Sequence, residues 1–214
     1  KQIVVERSFS IPCKPFTLED WHFWTQRAKK NLPNQLSRFI DNTLHYAGEE
    51  KSFILEPLRL PELHVSIEGR HAVIVVRGSG YKEDLAALKS YIEDYKPVLI
   101  GVDGGADALL DVHYKPSLIV GDMDSVSDRA LKSGAEIVVH AYPNGNAPGM
   151  QRIHDLGLHA EQIPAPGTSE DLAMLIAYER KAELIVTVGT HTHMIDFLEK
   201  GRAGMGSTLL VRLK

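Results

Sequence analysis

The sequence lacks several features that would each indicate a particular class of protein. It has one cysteine, Cys13, so no disulfide can form within the chain, and this fits a reducing compartment. No apolar run approaches the roughly 20 residues of a membrane-spanning helix, and no secretory signal peptide is recognisable. With a formal net charge of −4, the chain has no basic excess that would favour nucleic acid as a partner. We therefore expect a globular protein of the cytoplasm.

The length and the first third of the chain predict its domain organisation. At 214 residues, there is room for one α/β domain and an additional element. Thr17 precedes an acidic turn and is a candidate helix N-cap. Beyond Pro33, apolar residues from Leu36 to Ala47 recur every three or four positions, which predicts a helix. This helix either packs on its own domain or forms a dimer, and we expect a homodimer.

Two prolines, Pro57 and Pro61, predict a linker after that helix. We therefore expect an N-terminal segment at 1–65 and an α/β domain at 66–214. The chain begins with Lys1 rather than methionine, so we expect it to be part of a longer protein.

From Gly69 onward, apolar runs alternate with helical patterns. The predicted strands are 71–77, 98–102, 117–120, 136–140, 184–188 and 208–212, and the predicted helices are 82–95, one from about 106, 127–133, 150–156 and 168–181. Such alternation predicts an α/β fold, with a mostly parallel sheet and helices on both faces.

Small, polar or acidic segments follow the predicted strands. In a parallel sheet with helices on both faces, ligands bind beyond the carboxyl ends of the strands. Five segments should meet at that edge: 77–82, 103–105, 121–125, 167–171 and 189–191. The sequence therefore predicts a binding site there.

The carboxylates of these segments predict a metal site. Asp103 stands at a strand end before Gly104 and Gly105, which would let a ligand approach the backbone closely. Asp122 and Asp124 share one face of an extended chain, where their charges repel unless a cation lies between them. Such ligands suit Mg²⁺, which takes one or two carboxylates together with substrate phosphates. The alternative for each aspartate is a helix-capping or solvated role.

Two glycine-rich segments resemble phosphate-binding loops without matching them. The segment 78–80 lacks the third glycine of a dinucleotide fingerprint because Glu83 stands there, although its amides can still take an anion. The segment 201–208 resembles a P-loop, but Ser207 replaces the lysine and a strand is predicted to follow. Lys200 and Arg202 remain candidates for binding a phosphate.

Two further chemistries are disfavoured. His191 and His193 lie one residue apart without a third zinc ligand nearby, so we expect them to have a loop or hydrogen-bonding role. No Gly-x-Ser-x-Gly elbow is present, which disfavours acyl transfer.

The motifs Val-Asp-Gly-Gly-Ala at 102–106 and Leu-Ile-Val-Gly-Asp-Met-Asp-Ser at 118–125 resemble those of the thiamin pyrophosphokinase catalytic domain. The segment 168–173 stands where that family has Lys-Asp-x-Thr-Asp, and only Asp171 carries over. The segment 189–191 replaces a Gly-Gly-Arg-x-Asp-His motif, and the β-rich second domain that helps to hold thiamin is missing. The resemblance spans residues 70–212 and implies a nucleotide site more firmly than thiamin as the substrate.

The chain is also similar to the SteA family of bacterial cytokinetic-ring proteins. The similarity lies in residues 74–78, 81–85, 167–171 and 200–205, and in 36–55 before the domain. In that family a similar core is followed by a membrane segment, which here would lie beyond Lys214. This resemblance implies a domain on the cytoplasmic side of a membrane and a role in cell division.

These resemblances imply two alternative functions. The first is a Mg²⁺- and ATP-dependent diphosphotransferase that acts on an unidentified acceptor alcohol and releases AMP. In it, Asp122 and Asp124 would hold Mg²⁺, while Asp103 and Asp171 would complete the acidic shell or orient the acceptor. The expected nucleotide- and phosphate-binding residues are Arg77, Gly78, Lys82, Gly104, Gly105, Ser125, Thr168, Ser169, Gly189, Thr190, Lys200 and Arg202. The second function is a non-catalytic module of a division protein that binds a nucleotide or a phosphorylated metabolite.

Overall fold

The computed structural model describes residues 2–6, 9–12, 14–190, 194–199 and 201–214. The chain divides into two compact units, residues 1–41 and 42–214. The first contains an antiparallel pair of strands, β1 (Gln2–Glu6) and β2 (Phe9–Pro12), which the sequence did not predict. Helix α1 (Leu18–Leu55) begins in the first unit and ends in the second. The predicted division at residues 65 and 66 stays a prediction.

Helix α1 begins where the sequence predicted an N-cap. The hydroxyl of Thr17 accepts a hydrogen bond from the backbone N–H of Asp20 at 3.1 Å, and the Asp20 carboxylate accepts one from the backbone N–H of Thr17 at 3.0 Å. This reciprocal arrangement satisfies two amides that the first turn leaves without a partner. The helix continues through Pro33 and includes the predicted apolar stretch. Its predicted role in a dimer stays a prediction.

The second unit contains a sheet of six parallel strands. The strands are β3 (His71–Val75), β4 (Val98–Val102), β5 (Leu118–Gly121), β6 (Glu136–Ala141), β7 (Glu161–Pro164) and β8 (Leu184–Val188), in the order β7-β6-β5-β4-β3-β8. Their helices are α2 (Tyr81–Ala87), α3 (Lys89–Tyr95), α4 (Gly105–Asp111), α5 (Asp128–Leu131), α6 (Gly149–Asp155), α7 (Ser169–Glu179), α8 (Met194–Glu199) and α9 (Gly206–Leu213). The predicted α/β fold with a parallel sheet is confirmed.

Strand β3 illustrates why the sheet is covered on both faces. Ala72 and Ile74 belong to the same core cluster as Leu172 of α7. Val73 and Val75 belong to a different cluster, together with helices α2 and α3. Because successive side chains of a strand point to opposite faces, a continuous apolar run requires a cover on each face.

In the described part of the chain, no helix is both long and apolar enough to cross a membrane.

Some predicted elements were wrong. The strand predicted at 208–212 is helix α9, because a short apolar run does not distinguish a buried strand from one face of a helix. The helix predicted at 82–95 is two helices, α2 and α3, which meet at Leu88. Strand β7 and helix α8 were not predicted.

The segment predicted as a linker packs against the domain. Leu63 is buried in the same cluster as Ile74, and Leu58 and Leu60 are partly buried against that cluster. Arg180 also donates a hydrogen bond to the carbonyl of Pro61 at 2.6 Å. Residues 57–65 have no regular structure, but their apolar side chains fix them to the core, so they do not form a free linker.

Candidate functional site

The structure brings the three predicted aspartates to neighbouring strand ends. Asp103 directly follows β4, whereas Asp122 and Asp124 follow β5, and these two strands are paired in the sheet. Since all six strands are parallel, their carboxyl ends lie at one edge. The sheet therefore positions the three carboxylates as one acidic group.

Asp103 is held in a tight backbone turn. Its φ of 46° lies in the left-handed region, and its Oδ1 accepts a hydrogen bond from the backbone N–H of Met123 at 3.2 Å. A Cβ at Gly121 would lie 1.8 Å from this Oδ1, so the carboxylate occupies the space that a side chain at 121 would need. Burial, and then the nearby charge of Asp122, raise the pKa of Asp103 to about 7.

The segment Asp122-Met123-Asp124 turns both outer carboxylates towards solvent. Met123 is fully buried with a φ of 69°, whereas Asp122 and Asp124 are exposed. The backbone N–H of Asp124 donates to Oδ1 of Asp122 at 3.0 Å. The buried methionine therefore anchors a turn from which the two aspartates project.

These two aspartates line a cavity of about 400 Å³, which we call cavity A. The ends of β6 and β7 and the start of α7 form most of its wall. Glu50 of α1 and Arg202 complete it. The lining residues are Glu50, Asp122, Asp124, His140, Ala141, Tyr142, Pro143, Pro148, Ala165, Pro166, Gly167, Thr168, Ser169 and Arg202. Cavity A thus contains both acidic and basic side chains, and its volume lies within the usual range for a small-molecule site.

His140 is a member of this wall that the sequence did not predict. Its Nε2 lies 2.9 Å from the carbonyl oxygen of Ala165, and its Nδ1 lies 3.1 Å from the hydroxyl of Ser169. A carbonyl only accepts, so Nε2 carries a hydrogen, and Nδ1 of the neutral ring accepts from Ser169. Burial lowers the pKa of His140 and favours this neutral ring. Its position at the end of a predicted strand was the signal that would have identified it.

The start of α7 forms another part of the wall. Thr168 and Asp171 form a reciprocal capping box, in which the Asp171 carboxylate accepts from the Thr168 N–H at 3.0 Å. The hydroxyl of Thr208 donates to the same oxygen of Asp171 at 2.8 Å. Asp171 is fully buried and does not line cavity A. Its predicted catalytic role stays a prediction, whereas Thr168 and Ser169 do reach the cavity.

The predicted basic residues differ in their positions. Arg202 lines cavity A. Arg77 lies over Gly104, where an added Cβ would come within 2.8 Å of the Arg77 Cδ. The Nζ of Lys82 lies 6.0 Å from the centre of the Tyr81 ring and is not part of the cavity wall. Lys200 lies outside the described residues, as do His191 and His193.

The remaining predicted residues lie at the same edge without lining cavity A. Gly105 approaches the carbonyl of Val75 so closely that a Cβ there would lie 1.8 Å from the oxygen. Gly189 has a φ of 65°, and its added Cβ would lie 3.1 Å from the backbone nitrogen of Gly78, so the ends of β8 and β3 meet. Thr190 is 3.4 Å from the Thr187 hydroxyl, and Ser125 is exposed beyond Asp124.

The segment 201–208 leads into helix α9 and not into a strand, so that part of the argument against a P-loop was wrong. The element before the segment is helix α8 rather than a strand, and the P-loop lysine is still absent. A P-loop requires a preceding strand, a loop with that lysine and a following helix. The segment therefore still fails to match this motif.

The acidic group fits part of a magnesium site. Among the described residues, no three His, Cys, Asp or Glu side chains are arranged as a complete metal site. Magnesium commonly uses one or two protein carboxylates and takes its other ligands from phosphates and water. Asp122 and Asp124 meet that smaller requirement, since both face cavity A.

Comparison with known proteins finds a similarity in this region. Residues 89–192 match the family model of the thiamin pyrophosphokinase catalytic domain. A crystal structure of thiamine pyrophosphokinase from Bacillus subtilis is similar, with 25% identity and a TM-score of 0.37, over 62% of this chain and 52% of that one. The chain therefore spans about half the length of that protein. Among curated proteins, none matches the chain.

The matched segment includes the acidic group, His140 and the start of α7, whereas Glu50 and Arg202 lie outside it. The matched residues include five of the six strands of the parallel sheet and the aspartates at the strand ends. The chain therefore contains a domain similar to the catalytic domain of thiamin pyrophosphokinase.

Proposed function

We propose that this domain binds Mg²⁺ and ATP in cavity A and transfers a diphosphate group to an acceptor alcohol. The observation that carries this proposal is the group formed by Asp103, Asp122 and Asp124, of which two line a cavity that also contains Arg202. Negative and positive side chains in one wall suit a metal–phosphate ligand, since the metal needs carboxylates and the phosphate oxygens need donors.

The raised pKa of Asp103 supports a cation in this proposal. Burial makes the Asp103 carboxyl hard to ionise, and the nearby negative charge of Asp122 raises its pKa further. A divalent cation held by Asp122 and Asp124 would offset that repulsion. Magnesium bound there would neutralise part of the negative charge of the phosphates.

The polypeptide itself would mainly position the reactants. Phosphoryl transfer asks little covalent chemistry of a protein, so positioning and electrostatic stabilisation dominate. Arg202 would donate to phosphate oxygens, and the amides at the start of α7 would add partial positive charge next to Thr168 and Ser169. The acceptor oxygen would attack the β-phosphorus and its hydroxyl proton would pass to water, while the bond from that phosphorus to the bridging α–β oxygen breaks and AMP leaves.

One observation favours the alternative of a non-catalytic module. Asp171 is the one residue of the Lys-Asp-x-Thr-Asp motif that this sequence keeps. It is fully buried, and its carboxylate accepts hydrogen bonds from Thr168 and Thr208. Its lysine neighbour in that motif is also absent from this sequence. On this alternative, cavity A would hold a nucleotide or a phosphorylated metabolite without chemistry, and the protein would act in cell division, as the resemblance to the SteA family implies.

Calorimetric titration with Mg²⁺-ATP tests the proposal. We compare the native chain with Asp122→Asn/Asp124→Asn and with Asp94→Asn, a control that alters an exposed aspartate of α3. We expect binding that requires Mg²⁺, is lost in the double variant and is kept in the control. No binding at millimolar nucleotide would exclude the ATP site.

A second measurement separates the enzyme from the module. AMP release is followed by chromatography while candidate alcohols are added to protein saturated with Mg²⁺-ATP. Alcohol-dependent AMP release that the double variant lacks would establish transfer. Binding without any AMP release would favour the non-catalytic module.

A further inference from the structure

A second cavity adjoins cavity A. It has a volume of about 310 Å³ and shares Glu50, Gly167, Thr168 and Arg202 with cavity A; we call it cavity B. The residues that line only cavity B are Tyr46, Phe197, Ala203, Gly204, Met205, Gly206, Ser207 and Thr208. Apart from Gly167 and Thr168, its wall comes from outside the segment 89–192 that matches the family.

Glycines bring the two main walls of cavity B together. A Cβ at Gly204 would lie 3.0 Å from the backbone nitrogen of Thr43, and one at Gly206 would lie 2.8 Å from that of Ala47. Asn42 donates to the carbonyl of Ala203 at 3.1 Å, and the N–H of Met205 donates to Thr43 at 3.1 Å. Gly204 and Gly206 thus allow close packing on α1, and this packing brings Glu50 and Arg202 to the same cavity walls.

Glu50 has an unsatisfied oxygen at the boundary between the cavities. Its Oε2 is shielded from solvent and has no hydrogen-bond partner among the described residues. Burial raises the pKa of Glu50, and the charge of Asp171 raises it further. A shielded carboxylate oxygen without a donor is costly, so a ligand that brings an N–H donor and a positive charge would relieve it.

The other side chains of cavity B indicate the rest of that ligand. Tyr46 contributes an aromatic ring to the wall, while Phe197 and Met205 are apolar. Ser207 and Thr208 also line the cavity, and the hydroxyl of Thr208 donates to Asp171. An aromatic face next to a carboxylate suits a small organic cation, since the ring attracts positive charge and the carboxylate accepts its hydrogens.

We infer that cavity B binds a small organic ammonium compound, with its charged group at Glu50 and its apolar part against Tyr46. Its identification as the acceptor subsite rests on the proposed function, because cavity B adjoins cavity A, which is assigned to ATP. Helix α1 and the segment 201–208 would then form the wall of the acceptor subsite in this chain.

The test uses benzylamine, which is protonated at neutral pH, and benzyl alcohol as its neutral counterpart. Binding to the full chain is measured by ligand-observed NMR without nucleotide. We expect benzylamine to bind in the millimolar range and benzyl alcohol to bind at least about tenfold more weakly. Glu50→Gln should weaken benzylamine by about tenfold, because the amide keeps the shape and removes the charge.

Glu49→Gln is the matched control, since Glu49 is the exposed neighbour of Glu50 on the same helix, and it should bind benzylamine as the native chain does. Tyr46→Leu provides a second variant if Glu50→Gln does not fold, and it should weaken benzylamine by several-fold. Equal binding of the amine and the alcohol, or equal binding of benzylamine by the native chain and either cavity variant, would overturn the inference.

These outcomes are distinct from those for the proposed function. Failure of Mg²⁺-ATP binding would exclude the nucleotide site, and cavity B could then no longer be identified as the acceptor subsite. The benzylamine measurement would still decide whether cavity B binds a cation. Failure of benzylamine with intact Mg²⁺-ATP binding would overturn the present inference alone.

Discussion

The segment that matches a known family and the segments that flank it contribute to the site in different ways. Residues 89–192 supply the carboxylates at strand ends, and their positions follow from the order of the sheet. The flanks supply Glu50 and Arg202, which reach cavity A because helix α1 packs against the segment 201–206. One half of the site therefore depends on strand topology and the other on helix docking, so the two can be perturbed separately.

The largest effect should come from closing the space at a strand end of the matched segment. Gly105→Ala places a Cβ 1.8 Å from the carbonyl oxygen of Val75, which is fixed in the sheet. We expect a loss of about 3 kcal/mol or more in the free energy of unfolding, because the backbone must shift. Urea denaturation measures it.

The matched control for that change lies in the flank. Gly48→Ala in α1 meets no atom within 4 Å, and it should stabilise the chain by about 0.5–1 kcal/mol through helix propensity. Comparable destabilisation by the two substitutions would contradict the difference in packing between the strand end and the exposed helix.

The sequence predicted the matched segment better than the flanks for a physical reason. Strands β4 and β5 are continuous apolar runs, and Asp103 and Asp122 follow them directly, so a parallel sheet was enough to bring them together. His140 stands at the end of a predicted strand but was missed, because its hydrogen bonds to Ser169 and Ala165 form only when the start of α7 packs beside β6.

The flanks could not be predicted in the same way. Glu50 was not predicted as a site residue, because the periodicity that predicted the helix at Leu36 to Ala47 does not indicate what packs on it. Its position in cavity A depends on contacts with residues more than 150 positions later, such as that of Asn42 with Ala203. Helix α9 was predicted as a strand for a related reason. Its apolar side is covered by α7, and the local sequence does not show this contact.

The next effect is electrostatic and depends on pH. The folded-state pKa of Asp103, about 7, lies above its usual value of 3.8. The stability that its protonated form contributes is therefore complete below pH 3.8 and is lost as the pH rises through about 7. We expect Asp103→Asn, without Mg²⁺, to raise the free energy of unfolding by roughly 2 kcal/mol at about pH 8 and by little near pH 4.

Thermal and urea unfolding at the two pH values check this expectation, with Asp94→Asn as a control that should show no such pH dependence. The same Asp103→Asn variant should bind Mg²⁺-ATP more weakly than the native chain. A stability gain that is equal at both pH values would show that ionisation of Asp103 is not its source.

A smaller effect is expected where α9 meets α7. Thr208→Val removes the hydroxyl that donates to the buried Asp171 at 2.8 Å. We expect a loss of about 1–2 kcal/mol, because a buried acceptor loses a donor that water cannot replace. The control is Thr187→Val in β8, whose hydroxyl is 3.4 Å from Thr190 and partly exposed, and it should change stability by less than about 0.5 kcal/mol.

The smallest effect on stability should arise at the contact between α1 and the segment 201–206. Asn42→Ala removes the hydrogen bond to the carbonyl of Ala203, which is solvent-exposed. Water can replace the lost donor, so we expect a cost of only about 0.5 kcal/mol in urea denaturation. Asn34→Ala, at an exposed position of the same helix, changes the same residue type without that bond and corrects for helix propensity.

The comparison of Asn42→Ala with Asn34→Ala also tests whether the contact of α1 with the segment 201–206 positions Glu50. If the docking of α1 positions Glu50, Asn42→Ala should weaken benzylamine binding by a larger factor than its small cost in stability implies, since a slight shift of the helix moves the carboxylate away from the ligand. Asn34→Ala should leave benzylamine binding unchanged. Equal benzylamine affinity in the two variants would mean that Glu50 keeps its place without this contact, and that the flank depends on its glycines alone.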